Sequence, residues 1–525
     1  MKKNVLFFTT LTLTLGLFFL SACSKRKEHI NQVRFRLPSD PPTIDWTLAT
    51  DNVSKEIISP IHIGLVSHNS NSEITGELAE KWEISPDGKT YTFTLRPNLK
   101  WSDGEALTAE HFVDSWERLL NPATASEYSY FIFDVLGAED YQSGKLKDFS
   151  KVGVKAPTPN TLVVTLRAAS SYWVHVPAFW ITYPIRKDVI AKHGDKWTDP
   201  ANIVSAGPYK LTTFERDSRA VLEKNQHYYD QAALEPMPDS LVFRVIKDDT
   251  TAVALFNSGD IDVVRDLPPF QVPSLSKRPE FHSTPFLRGY YYGFNLKKGA
   301  TQDINVRLAM AHAIDRTELE KVLGPMVKAA KYWNQPGLLG HDPNIGLDFN
   351  LEKAKEYLAK VKNPSKQVFE IWFDQKETNK LVAENIQAQL RKNLGIDVKL
   401  SSQEWKVYLQ TLKSDTPAIW RLGWGADYPD PNNFLDLFTC TSGNNYTGFC
   451  NKKYDSLIIE AATETDLSKR ASMYQEAEKI LLEQDVAIVP LFSQTNMHLV
   501  SKKIQNFVIN SMGDYEYNAI RLQAR

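Results

Sequence analysis

Trp420-Arg421-Leu422-Gly423-Trp424-Gly425-Ala426-Asp427-Tyr428-Pro429-Asp430-Pro431 places one cation, two indoles, two glycines and two carboxylates within twelve residues. Ile419 to Leu422 reads as the end of a strand, which Gly423 and Gly425 extend poorly and the two prolines stop, so the backbone turns while Arg421 and Asp427 stay close. Glycine also lets a ligand approach the main chain. An acid and a base on one dry wall suit a zwitterion such as a peptide, because charge-assisted hydrogen bonds strengthen when water is excluded. The same residues also suit a packed surface turn, with Arg421 and Asp427 paired to each other or solvated.

At the other end, Lys2 and Lys3 precede an apolar run from Val5 to Leu20, then Ser21-Ala22-Cys23 and the charged Ser24 to Glu28. This reads as a secretory signal over residues 1–22. The run is interrupted by threonines and Gly16, and falls short of the roughly 20 apolar residues a membrane span needs. The residues before Cys23 resemble the bacterial lipobox, which implies a lipid joined to Cys23 and a membrane-anchored, exported protein. Ser24 is not the acidic residue that in some bacteria retains lipoproteins at the inner membrane. In an oxidising compartment Cys440 and Cys450, ten apart in a turn-rich loop, pair by default as a disulfide; a metal pair is the other use, and no histidine lies nearby to complete it.

About 500 residues then remain, enough for two to four domains. A formal charge of −2 argues against nucleic acid, which needs a basic footprint. Twelve Trp, twenty-one Tyr and twenty-six Phe exceed ordinary usage, and the clusters Tyr128 with Tyr130 and Tyr290 to Tyr292 read as too polar for core. Alternating runs on either side of Pro86-Asp87-Gly88 predict a hairpin. Thr108 is the expected N-cap of a helix running through Leu120. Helices are expected over about 52–63, 305–313, 350–361 and 379–393, with a strand directly after Gly395; helix followed by strand, repeated, is an α/β pattern. No His-Glu-x-x-His, Gly-x-Ser-x-Gly or Gly-x-Gly-x-x-Gly occurs, and Asp103 and His111 read as structural, so an enzyme is not expected. A surface adhesin or signalling lipoprotein stays open.

In order along the chain come the lipobox, Glu77-Leu78-Ala79-Glu80-Lys81-Trp82, the Pro-Asp-Gly hairpin, Trp101-Ser102-Asp103-Gly104, Thr108-Ala109-Glu110-His111-Phe112, Gly259-Asp260-Ile261-Asp262, Val306-Arg307-Leu308-Ala309, Gln403-Glu404-Trp405 and Gly423 to Tyr428. Together they resemble the extracytoplasmic solute-binding proteins of peptide ABC transporters, family 5, in its oligopeptide-binding branch, across essentially the whole mature chain. The resemblance favours the binding-wall reading of Trp420 to Pro431.

It implies an α/β protein of the two-lobed periplasmic-binding-protein (Venus-flytrap) fold with an additional third domain, closing over ligand by a hinge. Lobe I is expected from 24–64, 186–287 and 495–525, the extra domain II from 65–185 and lobe III from 288–494. The peptide is expected to bind by its main chain, with side chains in wet pockets. By the resemblance Asp427 pairs with the ligand's α-ammonium group. Arg421 helps hold the ligand carboxylate or the wall, Gly423 and Gly425 meet the peptide backbone, Trp405 lines a side-chain pocket, Val53 makes a backbone contact and Tyr128 lies near the ligand. Tyr290 to Tyr292, Tyr291 among the ligand-binding residues, and Asn295 fall where the chain crosses between lobes. Some relatives carry cysteines at the positions of Arg288 and Gly425; here a cation stands beside the site, suited to a ligand with an added carboxylate or to a salt bridge. Lys413 is only roughly placed for the ligand's carboxylate end, and Asn379 stands where a histidine is expected. Neither cofactor nor metal is implied. The expected partners are an oligopeptide and membrane permease subunits, with the protein a monomer; a dipeptide, a murein-derived peptide and a metal or haem complex are the other ligands the scaffold suggests.

Overall fold

The computed structural model describes residues 31–362, 364 and 367–523. The signal segment and Cys23 lie outside the described residues.

One mixed sheet of eleven strands runs through the molecule. From one edge its order is Val398–Gln403, Phe369–Asp374, Ile419–Gly425, Phe281–Phe294, Ile488–Val500, Val263–Arg265, Gln32–Leu37, Ser240–Val245, Arg219–Lys224 and Tyr209–Glu215, with Val327–Ala329 added against Ile488–Val500. Two of these strands are long, fourteen residues in Phe281–Phe294 and thirteen in Ile488–Val500, and they pair antiparallel with each other. Their ladder breaks between Pro285 and Gly289, where Pro cannot donate and the register shifts. Phe281 to Pro285 thus pair on one side of the break and Gly289 to Gly293 on the other.

The apolar cores divide about this crossing. One cluster gathers residues from Val33 to Phe243 with the tail from Val500 to Ile520, and a smaller one holds Ile246 to Leu275 with Leu499. Two more lie within the stretch from Leu287 to Phe492, on opposite faces of the sheet. The tail returns to the first strand, where Phe35 packs on Tyr515 and Tyr517. Asp262, the last residue of the Gly-Asp-Ile-Asp motif, ties these ends together: it is 2% exposed and pairs with Arg34 and Lys503.

In the chain between the strands Gln32–Leu37 and Tyr209–Glu215 of the large sheet comes a separate four-stranded sheet, ordered Ala79–Ile84, Thr90–Leu95, Thr161–Thr165, Val154–Thr158. Thr90–Leu95 buries Tyr91, Phe93 and Leu95 and turns its threonines outward, as period-two alternation dictates. Its turn is the expected hairpin, with Gly88 at φ 68°. The predicted helices appear as Asn52–Ile61, Ile304–Ala313, Leu351–Lys360 and Glu377–Leu394, and Val398–Gln403 follows the last.

Two local expectations fail. The helix expected after Thr108 starts at Glu110, and Ala109 at its N-cap makes no side-chain cap; the Thr108 amide is directed instead at the His111 ring, 3.0 Å away. Tyr290, Tyr291 and Tyr292 are core, each 2% exposed. They stand on a central strand covered on both faces, so polarity of the hydroxyl did not keep them out: Tyr290 and Tyr292 pack on one side and Tyr291 on the other.

A cleft walled by a half-paired strand

Ile419–Gly425 is paired on both edges only at its start. Ile419 and Trp420 face Ile371 and Trp372 of the neighbouring parallel strand, and beyond Trp420 that neighbour diverges. The Tyr408 hydroxyl fills the gap, within 3.0 Å of the Trp372 carbonyl, 2.8 Å of the Arg421 carbonyl and 3.0 Å of the Arg421 amide. On the other edge pairing continues to Gly425, opposite Arg288, and the Ala426 amide donates to the Leu287 carbonyl at 2.8 Å. In an antiparallel ladder the main-chain groups alternate between edges. Ala426, Trp424 and Leu422 therefore face Phe281–Phe294, while Arg421, Gly423 and Gly425 face away. Tyr408 takes Arg421; the amides and carbonyls of Gly423 and Gly425 are left directed into open space.

That space is a cavity of about 950 Å³. Gly423, Trp424, Gly425, Ala426 and Asp427 form one wall, with Trp405, Lys376, Phe286 and Arg288. Across from them stand Thr50, Asp51, Asn52 and Lys55 at the start of the helix Asn52–Ile61, then Tyr128, His175 and Trp180, with Asp514 to Asn518 from the tail. The cavity lies between the parts that the crossing strands join. At one end the parts touch: Tyr172 stacks on Tyr428 with centroids 5.1 Å apart, and the Ser171 amide donates to the Ala462 carbonyl at 2.8 Å.

Of the loop's two acids, Asp430 is neutralised by Arg470 at 2.8 Å, in a buried pair. Asp427 has no such partner among the described residues. Its amide donates to Asn433 Oδ1 at 3.1 Å, and Asn433 Nδ2 stands 3.5 Å from its carboxylate. The same Asn433 oxygen accepts from the Trp424 indole at 2.9 Å, so one amide side chain fixes both the ring and the acid. Desolvation pushes the Asp427 carboxyl up to about 6, against smaller downward pulls from Asn433 and Lys55. Lys55 itself is bound to Asp514 and lies 5.2 Å over the Trp180 ring.

Other expected site residues fall as follows. Gly423, Gly425, Trp405, Tyr128 and Arg288 line the cavity, as does Asp427. Trp405 is 43% exposed, and the Tyr128 hydroxyl donates to the Thr50 carbonyl at 3.0 Å. Five do not line it. Arg421 points to the face of the sheet where Asp374 lies, pairing Nη1 to Oδ1 at 2.7 Å, and stacks on Tyr290 with its guanidinium 4.4 Å from the ring centre. It does not stay with Asp427, because on a strand a residue six positions away beyond a turn is not held on the same face. Asn379, at the expected histidine position, donates to the same Asp374 at 2.8 Å. Tyr291 is packed between Trp333, Trp420 and Phe438. Val53 lies one residue beyond the lining; its amide is consumed by the Asp51 cap at 3.0 Å, and Thr50 to Asn52 face the cavity in its place. Lys413 is an exposed residue of the helix Trp405–Ser414, away from the lining.

Residues that the sequence did not single out complete the site. His68 and His175, on separate elements, lie 2.9 Å apart between Nε2 and Nδ1 with rings stacked, and burial keeps both below the ordinary imidazole range. Lys376, Asn433 and Asp51 likewise emerge only from the folding together of distant segments. Cys440 and Cys450 are bridged, S–S 2.10 Å. Among the described residues no group of three or more His, Cys, Asp or Glu is disposed to hold a metal.

A cleft between two bodies, spanned by continuous strands and walled by main chain with the Asp427 carboxylate at its end, defines a protein that encloses a solute. The chain belongs to the bacterial extracellular solute-binding proteins, family 5, whose middle region it matches over residues 73–446. It is 32% identical to the periplasmic murein peptide-binding protein MppA of Escherichia coli over 92% of this chain and 91% of that one. The unliganded open form of MppA superposes with a TM-score of 0.82 at 30% identity, covering 94% of this chain and 98% of that one. The Haemophilus influenzae OppA in complex with RPPGFSPFR superposes at 0.77 with 29% identity, covering 94% and 99%.

Proposed function

We propose that this chain is the lipid-anchored, substrate-binding component of an ABC importer, capturing oligopeptides by their main chain and delivering them to permease subunits in the membrane. It performs no chemistry on the ligand. The observation that carries this reading is the meeting of an uncompensated carboxylate, Asp427, with the unpaired main-chain edge of Gly423 and Gly425 on one wall of the cleft. An edge with free amides and carbonyls accepts an extended peptide as an added strand, an interaction indifferent to side chains. The carboxylate fixes polarity, because the α-ammonium group is the one cation every unblocked peptide has. Trp405 and Tyr128 supply surfaces for side chains. The Haemophilus protein's bound peptide favours an oligopeptide. Likeness to MppA favours a murein-derived peptide as the second reading.

Lipidation at Cys23, export, and the division into lobe I (24–64, 186–287, 495–525), domain II (65–185) and lobe III (288–494) belong to the same proposal. The separation of the apolar cores near Leu287 and Phe492 supports the bounds of lobe III, while a single core runs through lobe I and domain II. In calorimetry with a mixed library of tripeptides to pentapeptides, saturable binding is expected. Asp427→Ala is expected to weaken it by about 2 to 5 kcal/mol, as for one partner of an enclosed charge pair. Absence of saturable binding, or affinity unchanged by the substitution, overturns the proposal; mass spectrometry of ligand carried through purification separates the two readings.

A further inference from the structure

Three arginines approach one another where the long strands cross, and only two have carboxylates. Arg421 is held by Asp374 at 2.7 Å and Arg265 by Glu56 and Asp266. Arg288, between them, is engaged by no ion pair and no hydrogen bond among the described residues, and it lines the cavity. It lies within the break in the ladder between Pro285 and Gly289, and such irregularities turn a side chain out of the sheet's ordinary alternation. Its cross-strand neighbour is Gly425, and a β-carbon there would meet the Arg288 Cγ and Cδ at 3.7 Å. The aliphatic stem thus lies against the strand that walls the cavity.

The cavity's own acids do not compensate it. Asp51 caps the helix Asn52–Ile61, Glu77 accepts from Ser67 and Tyr229, Asp514 holds Lys55, Asp427 is engaged by Asn433, and Glu516, one oxygen of which is buried without a partner, forms no ion pair with Arg288 among the described residues. A second cation, Lys376, stands exposed on the same wall with no ion pair among the described residues. Burial already holds the guanidinium below the ordinary arginine range, and what hydration it keeps comes from the cleft. Enclosing a ligand removes that water, and a cation left without an anion is then costly. Gly425 is two residues before Asp427, and at about 3.3 Å per residue its neighbour Arg288 falls beside the second or third residue of a peptide whose amino terminus is at Asp427.

We infer that Arg288 is the receptor for a carboxylate on the bound peptide, so that the protein selects ligands carrying an acidic group close to their amino-terminal end. That carboxylate is the side chain of Asp or Glu at the second or third position, or the C-terminal group of a dipeptide or tripeptide. The inference rests on the peptide reading above and adds a charge preference to it.

The test is calorimetry on the purified full-length protein with alanine pentapeptides bearing Glu or Gln at position two or three, and with trialanine as the free acid or the amide. A charge-assisted hydrogen bond predicts roughly tenfold or greater preference for the carboxylate in at least one arm, and the arm identifies its source. Arg288→Gln brings that ratio close to one; Arg288→Lys keeps part of it, having charge without the planar fork. Equal affinity for both members of every pair, or a preference that survives Arg288→Gln, overturns the inference while leaving peptide binding intact. If no probe binds, the peptide reading falls and this one with it. Should Arg288→Gln fail to melt cooperatively, the wild-type ratios decide alone.

Discussion

The two charged residues of the wall strand have opposite assignments, one for ligand and one for the wall. With its carboxyl pushed up to about 6, Asp427 binds a proton more readily in the folded, ligand-free protein than in the unfolded chain. The sign follows: Asp427 costs stability as pH rises from the ordinary carboxylate range to about 6, and the cost is fully present above it. Ligand binding needs the ionised carboxyl and the protonated amine, so peptide affinity is expected to be greatest near pH 7, to fall by up to tenfold per unit below about 6, and to decline again as the ligand's α-ammonium group deprotonates near about pH 8. Titration calorimetry from pH 5 to 8 checks this, and Asp427→Asn is expected to remove the dependence on the acid side. Arg421 behaves differently. Its pair with Asp374 is buried, and breaking it with Arg421→Ala is expected to cost about 3 to 5 kcal/mol of stability, read by denaturant unfolding. The sequence made Asp427 legible because an acid among Gly, Trp and Pro has few structural uses. It could not separate Arg421 from it, since Asp374 lies 47 residues away and only the parallel pairing of Ile371 and Trp372 with Ile419 and Trp420 brings the two together.

The wall strand works because its partner leaves early. Tyr408 caps Arg421, the first position beyond the shared pairs, and the free edge of Gly423 and Gly425 follows. Gly423 is also constrained: a β-carbon would stand 2.9 Å from the Gly289 carbonyl, so the close approach of the two strands excludes larger residues. If the peptide is bound as an added strand, replacing a single amide with an ester at a position facing this edge removes one donor. The expected loss is about 0.5 to 1.5 kcal/mol, with esters at solvent-facing positions nearly neutral. Calorimetry on a series of such depsipeptides makes the comparison. At this scale the hairpin at Pro86-Asp87-Gly88 and the amphipathic helices were readable, because local turn chemistry and periodicity determine them. The tyrosine run was misread. Burial on both faces of a central strand leaves no alternation to detect, and the strand's neighbours come from residues 419–425 and 488–500.

Over the whole molecule, two continuous strands are the connection between the parts, and the break near Pro285 is where their pairing yields. The site is assembled from the first helix, segments around Tyr128 and His175, the wall strand and the tail, so its complete lining was beyond the reach of sequence; the order of short motifs along the chain was enough for the family. Asp427 is the residue on which the account stands or falls. The most direct measurement is a double-mutant cycle by calorimetry: wild type and Asp427→Asn, each with one tetrapeptide bearing a free or an acetylated amino terminus. The account expects acetylation and the substitution each to weaken binding strongly, with a coupling energy of about 2 kcal/mol or more between them. Independent, additive effects would contradict it.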